Sequence, residues 1–239
     1  VGKDGDRERL IKERRFFLFI AVAMFAVIVV GFASQPLTGR VWFTDFPWQV
    51  HVHVTVFSSW IILYVVQNWL VVRGQAAGLH RQLGWAGTAI AVIMVPLGIA
   101  GTIAAIARGA ITGVFPLGLF LALDVLHMLG FGVLTFAAIW LRGRPAWHKR
   151  LMLCGTALLT APALSRLLGF FHLGAFTPVA VIAGLLAFVV AGIVFDRTVW
   201  HRVHPSYWWG LGVILLIELS IVPLGGSAPI VAFARKLAG

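Results

Sequence analysis

The chain has 239 residues, 60% hydrophobic and 11% charged, with a formal net charge of +11. Its mean hydropathy of +0.96 excludes an ordinary soluble domain, in which about 25% of residues are charged. The cations stand at the ends of apolar stretches, not on a polar face, so they point to anionic lipid headgroups and away from nucleic acid.

About 20 apolar residues cross a bilayer as one helix, and seven spans are predicted, over 16–34, 48–72, 84–107, 116–141, 151–168, 176–195 and 208–224. A basic segment, 1–15, precedes them and a short tail, 225–239, follows. The first span lacks a small-residue cleavage site before Gln35-Pro36 and is expected to be a retained helix. The fifth is short, with Pro162 inside it and Arg166 near its end. Prolines at 96, 162 and 178 are tolerable in membrane helices whose neighbours satisfy the freed carbonyls. Small residues in spans three and six (Gly84, Gly87, Gly98 and Gly101; Ala180, Ala183, Gly184 and Ala187) suit close helix packing. The expected fold class is therefore all-α, a polytopic membrane bundle. Pieces such as Gly225-Gly226 read as ordinary turns.

Fourteen of the nineteen cations fall in four segments, Lys3–Arg15, Arg73–Arg81, Arg142–Arg150 and Arg197–Arg202. These precede span 1 and follow spans 2, 4 and 6, which places them all on one side. Arg40, Arg108, Arg235 and Lys236 make up the four on the other. Positive charge stays inside, so the N-terminus is expected in the cytoplasm and the C-terminus outside. Trp42, Trp48, Trp85, Trp140, Trp147, Trp200, Trp208 and Trp209 flank span ends, as an interfacial belt does. The single cysteine, Cys154, excludes an intramolecular disulfide.

Ionisable groups at membrane depth are costly and mark function by default. Here they are His53 in span 2, Asp124 and His127 in span 4, Arg166 in span 5 and Glu218 in span 7. His51 and His53 diverge by about 200° on a helix, so one of them faces the core, and His53 is the deeper. Spans 2 to 5 each bring a histidine. His53 and His127 form an outer level, His80 and His148 an inner one. Two histidines from facing helices at one level are what a six-coordinate haem iron takes. The cations beside the inner pair, Arg81, Lys149 and Arg150, suit either haem propionates or headgroup anchoring. His201 and His204 have no such partner and are expected to be anchors. Two alternatives use the outer groups: His53, Asp124 and His127 as a zinc or iron site, or Asp124, Arg166 and Glu218 as an ion-pair network pinning three spans. Asp124 and His127 share one helix face, so the carboxylate can also orient the imidazole.

Two resemblances rest on these residues. His51-Val-His53 with Trp60 and Gln67, then His80-Arg81-Gln82-Leu83-Gly84-Trp85-Ala86-Gly87, Asp124, His148-Lys149-Arg150-Leu151-Met152, Arg166 and His204-Pro205 resemble a family of uncharacterised bacterial integral membrane proteins. That resemblance covers roughly 15–225 and implies a multi-helix protein of the bacterial inner membrane, with no established activity. Glu218 and His172 fall outside the pattern. The two-level histidines and the string Leu79-His80-Arg81-Gln82-Leu83-Gly84 are similar to the di-haem transmembrane cytochromes, which implies electron transfer by haem b. The expected function is accordingly a b-type haem electron-transfer protein. A structural or accessory subunit, proton-coupled small-molecule transport and a non-haem metal enzyme are the alternatives. Span 7 lacks the paired histidines of the seven-helix zinc hydrolases, which argues against that last class. The expected partners are the bilayer with its anionic headgroups and no nucleic acid; a homo-oligomer or a membrane-protein partner is left open.

Overall fold

The computed structural model describes residues 3–39, 44, 46–74, 77–111 and 116–239. Arg40 and Trp42 lie outside them. Among the described residues every regular element is helical: α1 (Lys3–Leu37), α2 (Trp48–Arg73), α3 (Ala77–Ala107), α4 (Leu117–Trp140), α5 (Pro145–Leu158), α6 (Ala161–Leu168), α7 (Thr177–Phe195), α8 (Pro205–Gly225) and α9 (Ala228–Ala238). Six of these are long and apolar enough to cross a membrane: α1, α2, α3, α4, α7 with its flanking turns, and α8. Large side chains such as Phe19 (69% exposed) and Leu219 (74%) point outward from them. Apolar surface on that scale is what lipid, not water, stabilises. The chain is a multi-pass membrane helix bundle.

The expected fifth span is broken. Leu159 and Thr160 separate α5 from α6, and the pair bends by 44°. Pro162 sits in the first turn of α6, where its missing N–H leaves no extra donor unpaired and its ring starts a new helix more easily than it continues an old one. Proline occupies the first turn of α5, α7, α8 and α9 for the same reason. α2 stops instead at Gly74, whose φ of 72° lets its N–H close on the Leu70 carbonyl.

Side-chain contacts tie the four basic segments to one end of the bundle. Glu13 of α1 reaches Lys149 and Arg150 of α5, and Arg150 reaches Asp196 beyond α7. Arg14 lies beside Gly74 at the end of α2, and Arg142 stacks on Trp85 of α3 at 5.5 Å. The bent pair α5–α6 starts at this basic end and runs the length of α1. A Cβ on Gly31 would stand 2.6 Å from the Ala163 carbonyl oxygen, and Arg166 lies 4.4 Å over the Phe32 ring.

α4 is the most enclosed span, packed by α3, α5, α8 and α9. Its core neighbours include Leu153, Cys154, Leu158, Ile214 and Ile217. Gly225 is no ordinary turn residue: a Cβ there would stand 2.7 Å from the Leu119 Cα, so its missing side chain lets α8 meet α4 at the far end. The expected tail is helical. α9 folds back onto α3 and α4 through Ala234, Ile230 and Leu237, against Ile106 and Leu121. Likewise α1 already begins at Lys3, well before the first apolar run.

Candidate functional site

One ionisable contact joins α4 to α8. His127 Nε2 lies 2.9 Å from Glu218 Oε1, and the two side chains are 5% and 6% exposed. One proton bridges such a contact, held by the imidazole or by the carboxyl. Ile217 and Met128, each next in sequence to one of the pair, are buried, so the contact sits in an apolar wall. α4 and α8 are 91 residues apart at this contact, so only the packing of the two helices assembles it.

Asp124, one turn away on α4, takes a different partner. Its Oδ2 accepts a 3.1 Å hydrogen bond from the Thr102 hydroxyl of α3. No hydrogen bond joins it to His127 or Glu218 among the described residues, so the carboxylate held against the imidazole is that of Glu218 and not that of Asp124. Arg166 donates to the Pro162 carbonyl at 2.7 Å and covers Phe32. No ion pair within 4.0 Å joins it to Asp124 or Glu218 among the described residues; its charge and that of Asp124 still act on each other, while Glu218 pairs with His127. His53 is half-buried and His51 exposed. The His53 ring stacks on Phe57 at 4.0 Å and abuts Gly101, next to Thr102. Among the described residues no three His, Cys, Asp or Glu side chains converge as a metal cage, so His53, Asp124 and His127 are not gathered into one.

At the basic end, His148 Nδ1 meets the Ala138 carbonyl at 2.8 Å. This bond fixes the ring's tautomer and leaves Nε2 free. His80 carries a buried Nδ1 with no partner, while its carbonyl accepts from Gln67 Nε2 at 3.0 Å. Arg81 and His201 are exposed, and His172 is exposed in the far-end loop.

Arg150 is turned inward. It is 3% exposed, gives Nε to Asp196 Oδ2 at 3.0 Å and Nη2 to both Asp196 Oδ1 and Glu13 Oε1, the latter at 2.8 Å. Lys149 completes the clasp at 2.5 Å from Glu13 Oε2. The backbone N–H of His204 adds a third donor to Asp196 at 3.0 Å. The His204 Nδ1 accepts from Ser206 N and caps α8. Burial, followed by the Arg150 charge, pushes its imidazole pKa down and so keeps that acceptor free. A π-helical turn over Asp196–Trp200 aims Asp196 into the clasp. Glu13 and Asp196 are the members that sequence reasoning missed.

The two histidine levels differ in what their ring nitrogens are committed to. At the far level His127 Nε2, the nitrogen a haem iron would need, is committed to Glu218, and His53 is stacked and packed against α3. That pair does not fit an axial ligand set. At the basic level the buried His80 Nδ1 has no hydrogen-bond partner, and His148 spends its Nδ1 and not its Nε2 on the Ala138 carbonyl.

No family model, curated protein or solved structure matches the chain. Its class rests on the fold alone: a multi-pass membrane bundle with a buried histidine–carboxylate pair in its interior.

Proposed function

We propose that the chain is a proton-handling membrane protein, of the class that couples proton movement to the passage of a small solute, and that His127 and Glu218 carry the proton. The supporting observation is the 2.9 Å contact between two nearly unexposed titratable groups on different spans. A bundle held only by packing needs no such pair, and membrane proteins that move protons use Glu, Asp and His in this way. The proton passes between Nε2 and Oε1 with no net change in charge, leaving either a neutral pair or an ion pair. Those two states differ in how tightly they hold α4 to α8, and this difference is what solute passage would be coupled to. Asp124 and Thr102 supply the next hydrogen-bonding groups toward the far end.

The proposal includes seven crossings, with α5–α6 as one broken span, the basic end in the cytoplasm of a bacterial inner membrane and the C-terminus outside. In sealed vesicles carrying an imposed membrane potential, the protein is expected to pass protons, read by an internal pH dye. Glu218→Gln should slow that flux at least about tenfold; an unchanged flux contradicts the proposal.

A second reading keeps haem b, at the basic level only. It is favoured by the Nδ1 bond of His148 to Ala138 and the unpartnered Nδ1 of His80. His80 and His148 would be the ligands, and the haem would supply one-electron transfer. Purified protein should then show a Soret band lost in His148→Ala. A colourless preparation from haem-replete cells removes this reading and leaves the first intact.

A further inference from the structure

The cations of the basic end are not balanced evenly. Around α1 and α5 each has a carboxylate: Glu13 and Asp196 hold Lys149 and Arg150, and Asp6 and Glu8 lie beside Arg9 and Lys12. The segments that join α2 to α3 and α4 to α5, 73–81 and 142–150, contain no Asp or Glu. Arg73, Arg81, Arg142 and Arg144 are exposed there. Among the described residues none of the four forms an ion pair.

The fold singles out Arg142. Arg73 lies over Trp69 of its own helix at 5.0 Å, whereas Arg142 crosses from the end of α4 to the Trp85 ring of α3, at 5.5 Å. One of its five N–H groups goes to the Ile139 carbonyl at 3.3 Å. The others have no protein acceptor among the described residues. A guanidinium fixed in place loses less freedom on binding, and its planar fork matches a phosphate through parallel N–H bonds.

Just before Arg142 in the chain, α4 carries an apolar groove of about 400 Å³, lined by Phe136, Ala137, Trp140 and Leu141. The Phe136 and Trp140 rings, 6.1 Å apart, are 66% and 73% exposed. From Leu141 back to Phe136 the groove runs about 7 Å along the helix, away from the basic end. A cation at the rim with an apolar groove below it matches a phospholipid, whose phosphate stands directly above its acyl chains. A zwitterionic lipid brings its own ammonium to a place already crowded with arginines. An anionic one brings the negative charge that these four cations lack.

We infer that one anionic phospholipid binds here, with its phosphate on Arg142, one acyl chain in the groove of α4, and Trp85 positioning the guanidinium. The general attraction of basic loops to anionic headgroups needs no fixed residue; this binding does. It does not rest on proton handling by His127 and Glu218.

Native mass spectrometry of the full chain in detergent tests the inference, with phosphatidylglycerol and phosphatidylethanolamine of identical chains added at equal concentration. One phosphatidylglycerol should be retained in preference to phosphatidylethanolamine. Arg142→Gln should weaken that retention at least about tenfold, the worth of one charge-assisted hydrogen bond. Arg144→Gln removes the same charge two residues on, and should weaken it by less than about twofold, as an exposed and unfixed cation does. Trp85→Leu keeps every charge and should still weaken it about threefold, through the lost cation–π contact. Inorganic phosphate at the lipid's concentration should not displace the bound molecule.

Equal losses in Arg142→Gln and Arg144→Gln would mean diffuse attraction to a basic surface, and overturn the inference. Equal retention of the two lipids overturns it too, as does displacement by phosphate, which would show that the groove contributes nothing. Should Arg142→Gln fail to fold, Trp85→Leu and the phosphate competition on the unaltered protein decide.

Discussion

Arg150→Ala is expected to cost about 3–5 kcal/mol, because it leaves the buried Asp196 with no cation and the buried Glu13 with Lys149 alone. Glu13 and Asp196 are 3% and 1% exposed, and among the described residues Arg150 is the one side chain that pairs with both. In a chain of this length the loss corresponds to a drop in Tm on the order of 10 °C. Arg150→Lys should recover only part of it. An ammonium is a point donor, and it cannot give Nε and Nη2 to one carboxylate while reaching the other. Adding Asp196→Asn to Arg150→Ala should restore several degrees, since the stranded charge is then removed. Thermal melting in detergent checks the set. An Arg150→Ala variant as stable as the parent would mean that the carboxylates find water at the basic end, and that the clasp is surface decoration.

His127→Leu and Glu218→Leu form the second test, read together with the double variant. Each single change leaves one polar group in an apolar wall. If the pair is an ion pair, either single change should cost about 3–5 kcal/mol, and the double should recover most of it. An ordinary interhelical hydrogen bond in a membrane bundle gives a coupling of only about 0.6 kcal/mol, with a ceiling near 1.7. The magnitude therefore sorts the two cases. A coupling above roughly 2 kcal/mol in the melting cycle marks a pair that carries charge, as a proton-handling site must in one of its states. A coupling below that ceiling marks α4–α8 glue and favours a structural role.

How much of this was legible from the sequence depends on which residues are considered. Charge segregation carried the most, because orientation acts on local runs of Lys and Arg, and contacts such as Arg14 with Gly74 and Arg142 with Trp85 bring those runs to one end. The weak fifth span was visible through Pro162, and the chain does break just ahead of it. The partners were not legible. His127 and Glu218 each stood out as costly at depth, but their contact depends on α4 packing on α8 across 91 residues. Glu13 is one of four carboxylates in the first basic segment, and Asp196 stands immediately before the last one, so neither stands out from the cations beside it. The histidine levels came from counting helix rise, which sets depth but not direction. His127 turns to α8, and His148 spends its Nδ1 on the α4 backbone.

Glu218 and His127 are expected to exchange a proton inside the bundle. Infrared spectroscopy of the purified protein, recorded while pH is stepped between acid and alkaline values, reads that proton directly. The expected result is a protonated-carboxyl stretch that grows and fades with pH, shifts in deuterated water, moves in His127→Leu and is missing in Glu218→Gln. A carboxyl region identical in the parent and in Glu218→Gln at every pH would contradict it.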